Sequence, residues 1–508
     1  MNHRPTGISD LVRRNAAADP RQPALVDGSS GLTYRELDAH ATRAASALRA
    51  AGYPSGERIA LQVGNSTDFV VLYLGALRAG LIVVPANPGH SVPELRHLLS
   101  DSGATLLVTG SVAAIEAAAE LPVREVLVAA TQAPDGMRTV AELIAGATDG
   151  PDPHADRTGD QIAVLLYTSG TTRRPRGAML SARALLANLE QVAAVEPSII
   201  GSDDVVFVPL PMFHAFGLNL GLGAVLYAGA TVVLADRFDV AQTLATMARE
   251  SVTIVIGAPS MFAAWGNRPG LASAFAGVRL AVSGSAPLPS SLVATYAKAG
   301  IALHEGYGLT EAAPVVTLNV TQPKAGSVGR PLPGVEVLLL DADGDPVDDE
   351  DKDPGQLVLR GPNLFSGYWP DGAGGPDADG WFATGDIAVA DEDGDLFLVG
   401  RSTDLVLVNG FNVYPAEVEA VLAAEPGVAE VAAVGVDDEQ TGQAVVAYVV
   451  PSPGATLDPA AILASAARSL ARFKLPREIA IVPELPRTVT GKVMKWRLRE
   501  PGGAGAGR

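Results

Sequence analysis

Cysteine is missing from all 508 residues. That excludes disulfides, thiolate metal sites and a cysteine nucleophile. Positive charge is also scarce, with 37 Lys and Arg against 56 Asp and Glu and a formal net charge of -19. So acidic a chain is a poor general partner for nucleic acid, because phosphate attraction dominates that affinity. Any phosphorylated substrate must meet positive charge gathered locally. The N-terminal stretch MNHRPTGISDLVRRNAAADP lacks the apolar segment of a secretory leader. One uncharged run, residues 215–235, is long enough to cross a membrane, but four glycines and Asn219 interrupt it. A buried helix followed by a buried strand fits it better. The expectation is a cytoplasmic protein with no membrane span and no nucleic-acid partner.

What is present is an ordinary globular share of apolar residues, 48%, with 54 Gly and 37 Pro to make many turns. The first 400 residues alternate helix-like and strand-like segments, which predicts parallel sheets covered by helices. Leu37–Leu48 and Ser66–Ala79 read as helices, and Arg58–Val63, Leu81–Pro85 and Thr105–Val108 as strands. From about Gly326 short strands with turns, such as Val335–Leu340 and Gln356–Arg360, suggest an antiparallel or β-barrel-like part. Two acidic turns there, at 341–345 and 391–395, lack the sixth-position glycine and closing glutamate of an EF-hand and read as solvated hairpin turns. Beyond Arg401 the composition resets to a compact unit, with Pro415–Ala424 helical and Val428–Val436 and Ala444–Val450 extended. The expected fold class is α/β. A large N-terminal domain (1–400) of helix-covered sheets with a β-barrel-like part joins, through a hinge at 401–404, a small mobile α+β C-terminal domain (405–500). A flexible tail, 501–508, follows.

The segment richest in chemistry runs from Ile162 to Leu180. An apolar strand enters a loop of Thr168, Ser169, Gly170, Thr171 and Thr172 with three arginines, and a helix follows, capped by Ser181. Hydroxyls, free backbone N–H groups and guanidinium groups between strand and helix suit a polyphosphate. The order is not that of a Walker A loop, and on these residues alone a polar surface loop stays open.

The sequence Tyr167-Thr-Ser-Gly-Thr-Thr172, continued by Pro175-Arg-Gly177, resembles the phosphate loop of the adenylate-forming superfamily: acyl-CoA synthetases, luciferases and peptide-synthetase adenylation domains. Further signatures of that family follow in order: Pro211-Met-Phe-His-Ala-Phe-Gly217, Ser283-Gly-Ser-Ala-Pro-Leu288, Gly306-Tyr-Gly-Leu-Thr-Glu311, Thr384-Gly-Asp386, Gly400-Arg401, Gly410-Phe-Asn-Val-Tyr-Pro-Ala-Glu-Val-Glu419 and Pro486-Arg-Thr-Val-Thr-Gly-Lys492. The resemblance covers essentially the whole chain and is nearest to acyl-CoA ligases. It implies that Tyr307 stacks on adenine, with Gly284, Ser285 and Ala286 lining the other side. It further implies that Asp386 accepts from the ribose hydroxyls beside Arg401, and that Thr310 touches the α-phosphate. Glu311 would help hold Mg²⁺, a cation that favours oxygen ligands. Lys492 would stabilise charge as a carboxylate attacks the α-phosphate, and His214 would border that carboxylate. Arg176 stands where the phosphate loop commonly has lysine. The C-terminal domain would then rotate about the hinge, withdrawing Lys492 and presenting the Gly410 loop to the pantetheine of coenzyme A.

Two positions depart from the family pattern. Arg173 occupies a phosphate-loop position that is usually Gly or Ser, and Thr403 stands where the hinge usually has Asp or Lys. The implied activity is an acyl-CoA ligase that uses ATP, Mg²⁺ and coenzyme A to activate a small-molecule carboxylic acid through an acyl adenylate. The presumed pocket segments 214–223, 257–262 and 284–307 are rich in Gly and Ala and place no evident cation to pair a second carboxylate. A bulky, mostly apolar monocarboxylic acid is expected. Because of Arg173, a variant that only converts ready-made acyl-AMP and CoA stays open. A non-catalytic nucleotide-binding regulator is the third alternative, although it should have lost Lys492 or Glu311. No carrier domain is expected to be fused to the chain.

Overall fold

The computed structural model describes residues 5–28, 30–129, 137–146, 157–168, 175–266, 268–320, 323–341, 343–347, 353–408, 411–438, 440–487 and 492–499. The chain packs into two compact units. One comprises 1–336 and 360–382, the other 337–359 and 383–508.

The first unit is built on two sheets. In the seven-stranded one, Arg138–Thr139, Glu125–Val128, Leu106–Thr109, Arg58–Gln62, Ile82–Pro85 and Ile162–Thr168 run parallel, and Arg176–Ser181 returns antiparallel at the edge. The nine-stranded sheet has a parallel centre of Leu303–Gly308, Leu280–Ser283, Ile254–Gly257, Val205–Val208, Thr231–Leu234 and Pro23–Asp27. Its edges are antiparallel. The inner strands read as unbroken apolar runs because helices cover both faces of a parallel sheet. Ile82–Pro85, Leu106–Thr109 and Thr231–Leu234 are buried at every residue. Helix boundaries follow local chemistry. Ser66 caps Thr67–Arg78 by accepting from Phe69 N–H, and Ser181 caps Ala182–Ala193 by accepting from Ala184 N–H, as expected.

The uncharged run resolves into a π-helical segment, Phe216–Gly223, then Ala224–Ala228 as α-helix and Thr231–Leu234 as strand, nearly all of it buried. Among the described residues no helix is long and apolar enough to cross a membrane.

In the second unit a four-stranded sheet (Glu336–Leu340, Gly355–Arg360, Phe382–Ala390, Leu396–Arg401) forms the part expected to be barrel-like. The acidic turns belong to it. Asp341 and Asp391 each accept two backbone N–H bonds through Oδ1, which closes the turn. A five-stranded sheet (Phe411–Val413, Val406–Val408, Gly442–Pro451, Val428–Asp438, Glu478–Ile481) packs with helices Pro415–Ala423 and Pro459–Ala466 around Val406, Val418, Leu422, Val449 and Ile462. Compactness thus groups the strands of 383–401 with the C-terminal α+β part. The turning point expected at 401–404 concerns motion rather than packing.

Candidate active site

Thr168 ends its strand opposite Arg176, so the loop between them leaves the carboxyl edge of the sheet, where ligands gather in parallel α/β folds. Ser169, Gly170, Thr171, Thr172 and Arg173 lie outside the described residues. Both feet of the loop are held by one helix, Val92–Ser102. Tyr167 donates its hydroxyl to Asp101 Oδ2 at 2.6 Å, and His97 Nε2 lies 3.0 Å from the Pro175 carbonyl, which makes that nitrogen the donor.

Residues 366–369 lie alongside the returning strand. Ser366 N–H donates to Met179 O, Met179 N–H to Gly367 O, and Trp369 N–H to Gly177 O, at 2.8–3.0 Å. That pairing places the Tyr368 ring beneath Arg176, whose guanidinium carbon is 3.7 Å from the ring centroid. The Tyr368 hydroxyl donates to Glu311 Oε1 at 2.5 Å. Sequence reasoning missed Tyr368. Its only signal was the aromatic pair Tyr368-Trp369 in a polar stretch.

Tyr307, Thr310 and Glu311 sit where Leu303–Gly308 gives way to a short 3-10 turn, Thr310–Ala312. Gly308 is required there, since a Cβ would lie 2.1 Å from the Pro314 carbonyl oxygen. The neighbouring strand Leu280–Ser283 runs parallel with Ser283 opposite Glu305, so the loop from Gly284 leaves beside the Tyr307 strand. Gly284 faces the Phe216 ring, which a Cβ would approach to 2.9 Å. Ser285 holds a positive φ of 73°, an uncommon conformation for serine, and its residue is exposed, with Ala286 half-buried. The expected adenine-lining residues therefore come together on adjacent strand ends.

The 310–315 turn is braced by buried amide side chains. Asn219 Nδ2 donates to Ala313 O at 2.7 Å and to Leu185 O at 3.1 Å, and Asn363 Nδ2 donates to Ala312 O at 2.8 Å. Asn188 donates to Val315 O at 2.7 Å and accepts from Val315 N–H at 3.1 Å, while Gln191 links to Asn363. All four residues are at most 5% exposed. Buried amide donors are retained where they find partners, and here the partners of Asn188, Asn219 and Asn363 are backbone groups of the 312–315 stretch. None of these amides was singled out from sequence for this role.

His214 lies in the turn after Val205–Val208, and Asn65 pins that turn through Leu210 O and Met212 N–H. Its Nε2 is buried without a partner, and its ring packs 4.7 Å from that of Phe213. Burial, aided by the neighbouring His90, pulls its pKa down to about 4, so the imidazole is neutral at working pH. Glu305 was overlooked in the sequence. Burial raises its pKa to about 7, opposed by a hydrogen bond from Leu288 N–H at 3.0 Å.

In the second unit Asp386 and Arg401 face each other across paired strands, with Arg401 Nε donating to Asp386 Oδ1 at 2.8 Å. Thr384 orders the approach to that carboxylate: it donates to Leu357 O and accepts from Asp386 N–H. Residues 402–404 form one 3-10 turn in which Ser402 donates to Gly385 O and Asp404 accepts from Arg499. Lys492 is exposed, next to Val493, which bridges to Arg487. Gly410 lies outside the described residues.

Comparison with known proteins identifies the family. The AMP-binding enzyme profile matches residues 12–369, and the AMP-binding enzyme C-terminal domain matches 417–492. The chain is 36% identical over 504 residues to a feruloyl-CoA synthase of Amycolatopsis sp, covering 97% of this chain and 98% of that protein. It is 35% identical over 502 residues to the indoleacetate–CoA ligase of Aromatoleum aromaticum, with the same coverage. The crystal structure of ATP-bound MatB from Rhodopseudomonas palustris matches with a TM-score of 0.89 at 34% identity, over 97% of this chain and 99% of that one.

Proposed function

Since the chain belongs to the AMP-binding enzyme family and is an acid–thiol ligase, we propose that it joins a bulky, mostly apolar monocarboxylic acid to coenzyme A through an acyl adenylate. The observation that carries the choice of acid is the wall around Gly284. Phe216 packs on that glycine, Phe262 packs on Gly257, and the buried His214 imidazole is neutral. An apolar body can be buried against such a surface, whereas a second carboxylate would be desolvated without a cation to pair it. The only Lys or Arg in the three pocket segments, Lys298, is exposed on the helix Ser290–Lys298. The named relatives act on aromatic acids by their names, feruloyl and indoleacetate, which points the same way.

In the first half-reaction the acid's carboxylate oxygen attacks the α-phosphorus of ATP, pyrophosphate leaves, and the mixed anhydride remains. Tyr307, with Gly284, Ser285 and Ala286, would hold the adenine, and Asp386 with Arg401 the ribose. Thr168, Ser169, Gly170, Thr171, Thr172 and Arg176 would hold the phosphates, with Thr310 at the α-phosphate. The second oxygen of Glu311 has no protein partner among the described residues, and a free carboxylate oxygen is the donor a Mg²⁺ ion accepts. That ion would offset phosphate charge. Lys492 would do the same for charge developing at the α-phosphate. In the second half-reaction the thiol of CoA attacks the acyl carbonyl and AMP departs. The turn at 401–404 would be the hinge by which the part from 405 onward exchanges Lys492 for the Gly410 loop. A reaction that draws on ATP and CoA would run in the cytoplasm.

Arg173 supports a second reading, in which the phosphate loop is obstructed and the enzyme takes only preformed acyl adenylates. One experiment tests both. Purified enzyme is given ferulic, indole-3-acetic, C16 fatty, acetic and malonic acids with ATP, Mg²⁺ and CoA, then synthetic acyl adenylates with CoA. We expect pyrophosphate release and thioester formation with the aromatic or C16 acids. Turnover of malonate or acetate alone would overturn the proposed acid class. Thioester formation only from adenylates would select the second reading.

A further inference from the structure

Glu311 and Arg176 carry opposite charges into the same site, and left to themselves such groups pair and neutralise each other. Tyr368 stands between them. Its ring face lies 3.7 Å from the guanidinium carbon, while its hydroxyl reaches Glu311 Oε1 at 2.5 Å. A ring beneath a guanidinium holds the cation without consuming its in-plane fork of N–H donors. A single phenol donor holds a carboxylate while leaving its other oxygen open. Burial, then the Glu311 carboxylate, raise the phenol's pKa, opposed by Arg176, so it remains a donor at any working pH.

The tyrosine itself has little freedom. Residues 366–369 pair with the Arg176–Ser181 strand, and the Phe365 ring meets the Tyr368 ring edge-on at 5.0 Å. Phe365 N–H donates to the Glu311 backbone carbonyl at 2.8 Å, so one short segment grips both the backbone and the side chain of Glu311.

We infer that Tyr368 is a positioning residue for adenylation, tying the Glu311 carboxylate to the Arg176 guanidinium so that both charges keep one spacing and stay available to the nucleotide. The inference rests on the proposed roles of Glu311 at the metal ion and Arg176 at the phosphates. Tyr368 needs no contact with substrate to act in this way.

Tyr368→Phe keeps the ring beneath Arg176 and removes only the hydroxyl. The test follows pyrophosphate release against Mg²⁺ concentration, using the panel acid turned over fastest, and thioester formation from its synthetic adenylate plus CoA. Mn²⁺ binding to the enzyme with ATP, followed by EPR, gives a readout independent of turnover. Loss of a hydrogen bond to a charged group predicts that half-saturation by Mg²⁺ rises about tenfold. Mn²⁺ should weaken in parallel, with the adenylate-to-thioester step unchanged within about twofold. In a Glu311→Gln background the same change should add nothing further. If Glu311→Gln shifts the metal dependence and Tyr368→Phe does not, the inference fails while the reading of Glu311 stands. If Glu311→Gln leaves the metal dependence untouched, that reading falls and the inference falls with it. Equal losses in both half-reactions would reduce Tyr368 to a support of the fold.

Discussion

The Thr310–Ala312 turn and Lys492 are expected to serve the same phosphates, yet they are built in opposite ways. The first, with the residues that follow it to Val315, is gripped through its backbone by Asn188, Asn219 and Asn363, all buried, and through Glu311 by Tyr368. Lys492 is exposed, next to Val493, which bridges to Arg487. Charge stabilisation in a transition state is strongest when donors need not reorganise, which favours the braced construction. A group that serves only one half-reaction has to leave afterwards, which favours the exposed one. The difference teaches that rigidity here follows how long a residue is needed.

The largest effect should come from the exposed side. Lys492→Ala should lower pyrophosphate release from acid and ATP by about 10²–10³-fold, the usual loss for one charge-stabilising donor. Thioester formation from the synthetic adenylate should stay within about twofold of wild type. Equal damage to both steps would erase the contrast between a group used once and groups used throughout.

The braced side should behave otherwise. Asn188→Leu leaves both the N–H and the carbonyl of Val315 without their partner. Each orphaned buried group costs about 1–3 kcal/mol. Thermal unfolding should drop by several degrees, at roughly 2–4 °C per kcal/mol for a unit of this size. Both half-reactions should fall together, because the AMP moiety is proposed to lie at the 307–311 strand end in each. A selective loss of adenylation alone would contradict that shared use.

The same contrast explains what could be read in the sequence. Parallel strands and their capped helices were legible because each is a local pattern: unbroken apolar runs, or Ser before a helical stripe. Tyr307, Thr310, Glu311, Asp386 and Lys492 stood out only as members of an ordered set of motifs. The brace was hidden because its bonds to the 312–315 stretch join residues 51 to 127 positions apart. A faint signal existed. Asn188 and Gln191 interrupt the apolar face of Leu185, Leu189 and Val192, where a polar side chain survives only with a buried partner. Asn219 was noticed as an argument against a membrane helix, and its bond to Ala313 O could not be inferred from that run. Tyr368 depended on pairing between 366–369 and the Arg176 strand, a tertiary event with no periodicity of its own.

The smallest predicted effect concerns Glu305, two residues before Tyr307, and it asks whether bracing extends down that strand. Burial lifts the carboxyl from an ordinary 4.5 to about 7 in the folded enzyme, despite the bond from Leu288 N–H. Between those values the folded chain binds the proton more tightly than the unfolded chain. The stability this proton contributes is therefore full below about pH 4.5 and is lost as pH rises through about 7. Above that, a buried carboxylate must be kept charged, at a cost on the order of 3 kcal/mol. Glu305→Gln still accepts from Leu288 but cannot ionise. The variant's melting temperature relative to wild type should climb between pH 5 and pH 8, ending a few degrees higher. A difference independent of pH would mean that the strand relaxes enough to hydrate the carboxylate, and that the rigid region stops at Tyr307.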